Sequence, residues 1–363
     1  MNSLPLVAVA MSGGVDSSVA AALLLEQGYP LVGLMLRLWS EPGCEDNNRC
    51  CTPDSVAQAR QVAAVLGIPF YVIDSRNVFY TRIVSMFIEG YRMGITPNPC
   101  LACNQFIRWG VLLDYAKAIG ANYLATGHYA RLQKTSDGKI ELLRGIDLEK
   151  DQSYVLSRLN QEQLSHTFLP LGNLEKKQVR SYANRIGLPV AERKDSQDLC
   201  FLGGVDYRDF LKRHAPDLLR PGPILNNQGK RLGTHEGLAF FTIGQRRGLG
   251  VSSSKPLFVL GKDVSRNALI VGEERELGCE ELIANQMNWI SGSAPAKVFR
   301  GQVKIRYKAR SVDATISLIG EQQVHIKLDV VLRDITPGQV AVIYDGEVVL
   351  GSGIIVSSGK VYT

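Results

Sequence analysis

Two groups of residues in this 363-residue chain have the types and spacing to do chemistry. The first is Ala10-Met11-Ser12-Gly13-Gly14-Val15-Asp16-Ser17-Ser18, directly after the apolar run Leu6-Val7-Ala8-Val9. A short hydrophobic strand runs into a tight Ser-Gly-Gly turn, and a helix starts near Ser17 and continues through Val19 to Leu25. Glycines let a backbone approach a phosphate closely. Free N–H groups and the helix dipole favour an anion at such a start, and Ser12, Ser17 and Ser18 add hydroxyl donors. The second group is Cys100 and Cys103, a C-x-x-C at the start of a helix expected over 104–119, led in by Thr96-Pro97-Asn98-Pro99. A thiol near a helix N-terminus has a lowered pKa and is more often the nucleophilic thiolate, and Asn98 stands beside it as a hydrogen-bonding group. Cys200 lies in Asp195-Ser196-Gln197-Asp198-Leu199-Cys200-Phe201, flanked by polar residues and followed by Gly203-Gly204, a pattern that suggests a mobile segment.

The glycine loop lacks the spacing and the Gly-Lys-Ser/Thr ending of a Walker A element, and it is not the dinucleotide Gly-x-Gly-x-x-Gly. Its string resembles the pyrophosphatase-type loop of enzymes that split ATP between the α and β phosphates and activate a carbonyl oxygen as its adenylate. The plainer alternative is a glycine turn between a core strand and a core helix. The cysteine pair has three readings: reactive or cluster-binding thiols, half of a zinc site, or two small buried apolar residues. A four-ligand zinc site wants a second close pair, and none follows. Cys44, Cys50 and Cys51 sit in a polar loop without a histidine and read as incidental thiols, with an auxiliary metal site as the outside alternative; Cys279 reads as edge packing.

The elements that must position these groups alternate. Strands are expected over 5–10, 31–38, 69–73 and 122–126, and helices over 17–28, 54–66, 76–91 and 104–119, with Thr52-Pro53-Asp54 as a helix start. Such β-α-β alternation predicts a parallel sheet covered on both faces, with ligands beyond the carboxyl ends of the strands. The phosphate loop, Met35-Leu36-Arg37 and Thr126-Gly127-His128 gather at that end. After about residue 205 the texture becomes Gly- and Pro-punctuated. From about 281 strands follow at 299–306, 312–319, 322–328, 339–344 and 347–356, which suggests a small barrel or sandwich. The expected division is an α/β domain over 1–205, a small mixed or β domain over 206–280 and a β-barrel over 281–363.

At 363 residues two or three domains are expected, the 45% hydrophobic fraction allows real cores, and the +6 net charge permits a polyanionic partner. No segment has the length of a membrane span. The N-terminal apolar stretch is short, lacks a basic residue ahead of it and enters the loop directly, so it reads as a core strand and not a signal peptide. A cytoplasmic chain is expected, and seven cysteines there argue against a disulfide framework.

Taken in order, the motif Ala10 to Ser17, Thr96-Pro97-Asn98-Pro99, Cys103-Asn104, Ala125-Thr126-Gly127-His128-Tyr129, Lys150-Asp151-Gln152-Ser153-Tyr154, Cys200-Phe201 and Thr242-Ile243-Gly244-Gln245-Arg246-Arg247-Gly248 resemble the tRNA-specific 2-thiouridylase family over essentially the full length. The resemblance implies an ATP-pyrophosphatase-type, adenine nucleotide α-hydrolase-like first domain and a tRNA-binding C-terminal β-barrel. It implies ATP bound along Ala10, Met11, Ser12, Gly13, Gly14, Val15, Asp16 and Ser17, with Met35 and Gly127 near the adenosine. The activity it implies is adenylation of the C2 oxygen of the wobble uridine in a tRNA anticodon loop, followed by replacement of that oxygen with sulfur brought by a donor or relay protein. Cys103 matches the family nucleophile and Cys200 the persulfide carrier; a disulfide between them would follow transfer. Asn98, Pro99 and Cys100 match the segment touching the target base. His128, Lys150, Asp151, Gln152, Arg306, Tyr307 and Gln339 match tRNA contacts. Mg²⁺ would neutralise the pyrophosphate, with Asp16 as a ligand or water holder. One departure stands out: many members carry an acidic residue where this chain has Cys100. Three thiols, Cys100, Cys103 and Cys200, would suffice for a [4Fe–4S] cluster with one open iron, an alternative route to the same product.

Lys297 to Arg310 holds six basic residues and no acidic one, and a strand there would place Lys304, Arg306, Lys308 and Arg310 on one face for phosphate contact. Two other function classes fit part of the pattern. An amidating synthetase shares a similar loop but wants a glutaminase-sized domain, and a non-catalytic RNA-binding protein leaves the ATP loop and the placed cysteines unexplained.

Overall fold

Near-continuous apolar runs, rather than alternating ones, build the first sheet, as expected where both faces are covered. The computed structural model describes residues 4–43, 52–193 and 199–359. Strands β1 (Val7–Ala10), β2 (Leu31–Arg37), β3 (Phe70–Asp74) and β4 (Tyr123–Ala125) lie parallel. After a hairpin of β5 (Ala130–Lys134) and β6 (Ile140–Arg144), β7 (Thr167–Phe168) completes a sheet of order β3-β2-β1-β4-β7. Along β1 the side chains alternate between two cores: Ala8 joins one and Val7 and Val9 the other.

The helix starts follow local chemistry. Helix α1 (Val15–Glu26) begins after Gly14. Helix α2 (Pro53–Leu66) is capped by Thr52, whose hydroxyl accepts from the Ser55 N–H at 2.9 Å, and it ends on Gly67 at φ 66°. The predicted helices at 76–91 and 104–119 are present as continuous helical runs over 76–92 and 99–118, each with a wider π-wound middle (Tyr80–Val84 and Cys103–Leu112). Such widened turns recur at functional sites, and the second places Cys100 and Cys103 within its first turns.

The central part is a four-stranded sheet of β8 (Gly222–Asn226), β9 (Arg231–His235), β10 (Phe258–Asp263) and β11 (Ala268–Gly272) in the order β10-β11-β8-β9. The last part comprises β12 (Cys279–Trp289), β13 (Val298–Lys304), β14 (Val312–Leu318), β15 (Gln323–Leu332), β16 (Val340–Asp345) and β17 (Val348–Ser357). These run β12-β15-β14-β13-β16-β17, and β12 pairs with β17 to close a six-stranded barrel. The β5–β6 hairpin adds to its outside, Val348 pairing with Leu143. One continuous core spans all three parts, from Ala8 and Phe201 through Ile224 to Val342 and Tyr344.

Three expectations change. The basic strand stops at Lys304, and 305–310 is a turn closed by the Ala309 N–H on the Arg306 carbonyl at 3.0 Å. The four cations therefore do not share a strand face, and Lys304 is only 9% exposed. Strand β12 is not among the expected strands, because Gln286 at φ 51° and two register shifts break its alternation. The β5–β6 hairpin was likewise not expected to pair with the last domain.

Trp109 of the cysteine-bearing helix donates its indole N–H to Thr167 Oγ1 of β7 at 2.6 Å, and that hydroxyl donates to the Gln163 carbonyl at 2.6 Å. Thr167→Val keeps the volume and leaves both groups without this partner. It should lower the unfolding free energy by about 1–3 kcal/mol, seen as a lower urea midpoint with unchanged m. An unchanged midpoint would show that the bond contributes nothing.

Candidate active site

The phosphate loop is built by steric necessity. Gly13 has φ +70°, and a Cβ there would stand 2.4 Å from the Ser55 carbonyl oxygen. Arg193 donates to the Gly13 carbonyl at 2.6 Å and to Ser55 Oγ at 2.9 Å, which ties the loop to α2. Ser12 N–H donates to Ser17 Oγ at 3.2 Å, and Ser17 and Ser18 hydroxyls donate back to the Gly14 carbonyl. No side chain caps the first turn of α1. The backbone of Gly127 passes directly over that turn: a Cβ there would be 2.7 Å from the Ser17 nitrogen. The result is an anion-receptive helix start facing the carboxyl end of the sheet.

A cavity of about 190 Å³ opens there, lined by Ala10, Met11, Ser12, Asp16, Ser17, Thr126, Gly127, His128, Gln152, Arg108 and Leu112, with Leu34, Leu36 and Leu38 as its apolar wall. Met35 is not on that wall. Alternation along β2 turns its side chain to the other face, into the core with Val9 and Val19. Val15 is likewise in that core. A larger cavity of about 460 Å³ where residues 94–96, 260–265 and 335–337 meet contains none of the expected site residues.

Asp16 accepts from Lys176 Nζ at 2.8 Å on each oxygen and from the Tyr129 hydroxyl at 2.7 Å. Its carboxylate is thus occupied in holding the loop to the helix Lys176–Arg185. No three His, Cys, Asp or Glu side chains among the described residues are placed to hold a metal ion. Cys100, Cys103 and Cys200 border the same part of the molecule, each as a thiol outside any disulfide, Cys100 exposed and the other two half-buried. Cys44, Cys50 and Cys51 lie outside the described residues.

Asn98 caps the cysteine helix, its side-chain oxygen accepting from the Leu101 N–H at 3.4 Å, with Pro99 in the first turn. The barrel grips this entry. Thr96 N–H donates to the Pro337 carbonyl and Gln339 Nε2 donates to the Thr96 carbonyl, each at 2.9 Å, while Asn98 Nδ2 donates to Gln339 Oε1 at 3.4 Å. The Tyr154 hydroxyl donates to the Val340 carbonyl at 2.8 Å, and the Tyr307 ring lies 6.1 Å from the Tyr154 ring. Burial, with the neighbouring Asp151 carboxylate and Cys100, pushes the Tyr307 hydroxyl up from its ordinary pKa. Asn98, Cys100, Tyr307 and Gln339, far apart in sequence, thus share one neighbourhood. Arg306 beside them is ion-paired with Asp334.

Cys103 is half-buried and Cys100 exposed. Cys200 sits in a single turn, Cys200–Leu202, half-buried and bordering the same core as Cys103. Its segment is held by the Glu41 N–H donating to the Phe201 carbonyl at 3.1 Å. The Glu41 carboxylate, only 2% exposed, pairs with Arg213 at 2.9 Å and His214 at 2.7 Å. Asp195 to Asp198 lie outside the described residues.

His128 is buried. Its Nε2 lies 3.1 Å from Arg108 Nη1 and its Nδ1 2.8 Å from Thr126 Oγ1. A guanidinium only donates, so Nε2 accepts and the proton is assigned to Nδ1. Burial first, then the Arg108 charge, hold His128 well below its ordinary pKa, in the neutral form. Arg108 Nη1 also donates to Asn104 Oδ1 at 3.0 Å. Asp151 accepts from the Gly145 and Ser153 N–H groups and the Ser153 hydroxyl, a structural set of bonds. Gln152 accepts the Tyr129 N–H at 3.0 Å and lines the cavity, and Lys150 is half-buried. Arg108, Tyr129, Lys176 and Arg193 were not singled out from sequence. Tyr129 ends the Ala125-Thr126-Gly127-His128-Tyr129 motif, and the others lie in segments without a recognisable pattern.

Residues 6–204 match the family model described as the tRNA methyl transferase HUP domain, 208–273 that of the tRNA methyl transferase PRC-barrel domain, and 279–355 that of the aminomethyltransferase beta-barrel domain. The chain is 46% identical over 353 residues to the tRNA-specific 2-thiouridylase MnmA 1 of Caldanaerobacter subterraneus subsp. tengcongensis, covering 96% of this chain and 97% of that one. It is 46% identical to the tRNA-specific 2-thiouridylase MnmA of Moorella thermoacetica (97% and 100% covered) and 43% identical to that of Clostridioides difficile (97% and 98%). With identity at this level over nearly the whole length, the chain belongs to the tRNA-specific 2-thiouridylase family.

Proposed function

We propose that this protein is a tRNA-uridine 2-sulfurtransferase: it adenylates the C2 oxygen of the wobble uridine with ATP and replaces that oxygen with sulfur carried as a cysteine persulfide. The observation that carries the reading is one cavity bordered both by an uncapped phosphate loop and by the helix that begins at Cys100 and Cys103, in a chain 46% identical to a 2-thiouridylase over 96% of its length. Catalysis is assigned to residues 1–205, and the central and barrel parts to 206–280 and 281–363.

The first half-reaction forms a bond between the uridine O2 and the α-phosphorus and breaks the bond to the bridging oxygen of pyrophosphate, which leaves with the electron pair; the N3 proton passes to water. Ser12, Ser17 and the N–H groups of α1 bind phosphate oxygens, and Gly127 admits the nucleotide against the turn. Mg²⁺ would supply charge neutralisation to the bound nucleotide; the pairing of Asp16 with Lys176 favours loop support over metal ligation. The base leaves its stack to reach this pocket, flanked by Asn98, Pro99 and Cys100. Arg306, Tyr307, Gln339 and the Lys150 segment border the anticodon loop. In the second half-reaction the terminal sulfur of a Cys200 persulfide attacks C2 and AMP leaves. Cys103 thiolate then attacks Cys200 Sγ, which breaks the S–S bond, leaves C2=S on the base and forms a Cys103–Cys200 disulfide that a thiol reductant reopens. A donor protein recharges Cys200. The proposed partners are tRNA and this donor; no helix among the described residues is long and apolar enough to cross a membrane.

The test is pyrophosphate release with and without tRNA, scored beside 2-thiouridine by nucleoside mass analysis. Ser12→Ala with Asp16→Ala should cut tRNA-dependent release by about 100-fold or more, with tRNA affinity near wild type. Cys103→Ser and Cys200→Ser should keep release and lose 2-thiouridine, whereas Cys100→Asp should keep both. Release independent of tRNA would fit an amidating synthetase, and no release a plain RNA binder.

The turn at 305–310 changes which cations to probe, since Lys304 is buried. Lys308 and Arg310 are exposed. Charge reversal at both should weaken tRNA binding and flatten log K against log salt by about one unit per lost phosphate contact. An unchanged slope would place this turn away from RNA.

A further inference from the structure

We propose that Lys304 is a specificity-determining residue of the target-base site, its ammonium binding the O4 carbonyl of the uridine and rejecting the amino group that cytidine carries in the same place. The assignment rests on the functional reading above. Lys304 is the last residue of β13, and the packing around it leaves it only 9% exposed. Its Nζ lies 5.9 Å from the centre of the Tyr154 ring and 5.6 Å from that of Tyr307, two rings whose centres are 6.1 Å apart. No hydrogen bond or ion pair holds this ammonium among the described residues.

Lysine is rarely buried without a partner, and the charged groups around Lys304 do not supply one at contact distance. Asp151 attracts it from beyond ion-pair range, while its carboxylate accepts from the Gly145 and Ser153 N–H groups and the Ser153 hydroxyl. Arg144, seated over the Tyr344 ring, opposes that attraction. Burial, the largest influence, moves the Lys304 ammonium below its ordinary pKa. The tyrosine faces give the cation weak support and take up none of its three N–H donors.

The neighbourhood indicates what those donors meet. Tyr307 stands near Cys100, and Asn98 at the head of the cysteine helix is bonded to Gln339 of the barrel. On the functional reading, the target base enters along Asn98, Pro99 and Cys100 with O2 toward the nucleotide cavity. O4 lies on the other side of N3 from O2 and is turned toward the barrel, where Lys304 stands. A flat base edge suits a recessed ammonium, whereas backbone phosphates suit the exposed Lys308 and Arg310. An ammonium donates and cannot accept. Uridine O4 accepts and cytidine N4 donates, so the lysine that binds one base faces donor against donor with the other.

The test is tRNA-dependent pyrophosphate release by the full-length protein on two tRNAs, one with uridine and one with cytidine at the wobble position. Thermal midpoint and the salt dependence of tRNA binding are measured on each variant. The wild-type protein should favour the uridine tRNA by about 10,000-fold or more in kcat/KM. Lys304→Met keeps an apolar stem without donors and should cut that preference by about 100-fold, mainly through loss on uridine. Lys304→Gln, whose amide also offers an acceptor, should turn over the cytidine tRNA faster than wild type. An unchanged uridine-to-cytidine ratio in Lys304→Met would overturn the assignment. So would an equal loss on both tRNAs with a salt slope lower by about one unit, which marks a phosphate contact. Should Lys304→Met fail to fold, Lys304→Gln with an intact midpoint decides, and a wild-type ratio there would overturn the assignment. Absence of pyrophosphate release by the wild-type protein on the uridine tRNA would overturn the functional reading itself, and the assignment with it.

Discussion

The peptide of Thr96 is held by the barrel on both sides, its N–H by the Pro337 carbonyl and its carbonyl by Gln339, each at 2.9 Å. The rest of the site depends on this clamp. Thr96 leads through two prolines into the Asn98 cap, and the cap sets where the helix carrying Cys100, Cys103 and Arg108 begins. A barrel more than 200 residues further along the chain therefore fixes the angle at which two thiols and a guanidinium meet the nucleotide cavity. Because Gln339 bridges Thr96 and Asn98, the barrel and the cysteine helix are mechanically linked. One continuous core runs beneath both, so the linkage is a packed one rather than a hinge.

Charge in the site follows a consistent plan. Carboxylates near the loop are committed: Asp16 to Lys176 and Tyr129, Asp151 to backbone N–H groups, and Glu41 to Arg213 and His214. His128 is kept neutral. The cavity lining combines the hydroxyls of Ser12, Ser17 and Thr126 with backbone donors at the start of α1, an environment that favours a polyanionic nucleotide. The cost of burying the Asp16–Lys176 pair is offset by bidentate-like contact and the Tyr129 hydroxyl, and it stiffens a loop that glycines alone would leave flexible.

Features encoded locally were legible in the sequence. The strand–glycine–helix unit, the Thr52 cap and the carboxyl-end position of Gly127 each follow from a few adjacent residues. The cysteine helix was legible too, although its start lies five residues earlier than expected because Pro99 belongs to its first turn. What failed depended on distant partners. The alternation from Lys304 to Arg310 mimics a strand, yet β16 pairs with β13 only as far as Lys304, and beyond it the chain turns. The Met35 side chain turns into the core, so only its backbone faces the cavity end of β2. The bonds of the Asp151 carboxylate to the Gly145 and Ser153 N–H groups likewise depend on the assembled hairpin and helix. Arg108 carries no local signature, and its place emerges only when the helix, β4 and the phosphate loop are assembled.

Sulfur is proposed to reach the base on cysteine, through the thiols of Cys103 and Cys200, and a cluster on Cys100, Cys103 and Cys200 is the rival route to the same product. The most direct measurement is 2-thiouridine formation by rigorously iron-free protein given ATP, Mg²⁺, tRNA and a persulfide donor, followed by mass mapping of the cysteines. Persulfide delivery predicts product without added iron and a Cys103–Cys200 disulfide that accumulates when reductant is withheld. No product until iron and sulfide are restored anaerobically, with Cys100→Ser as damaging as Cys103→Ser, would contradict it.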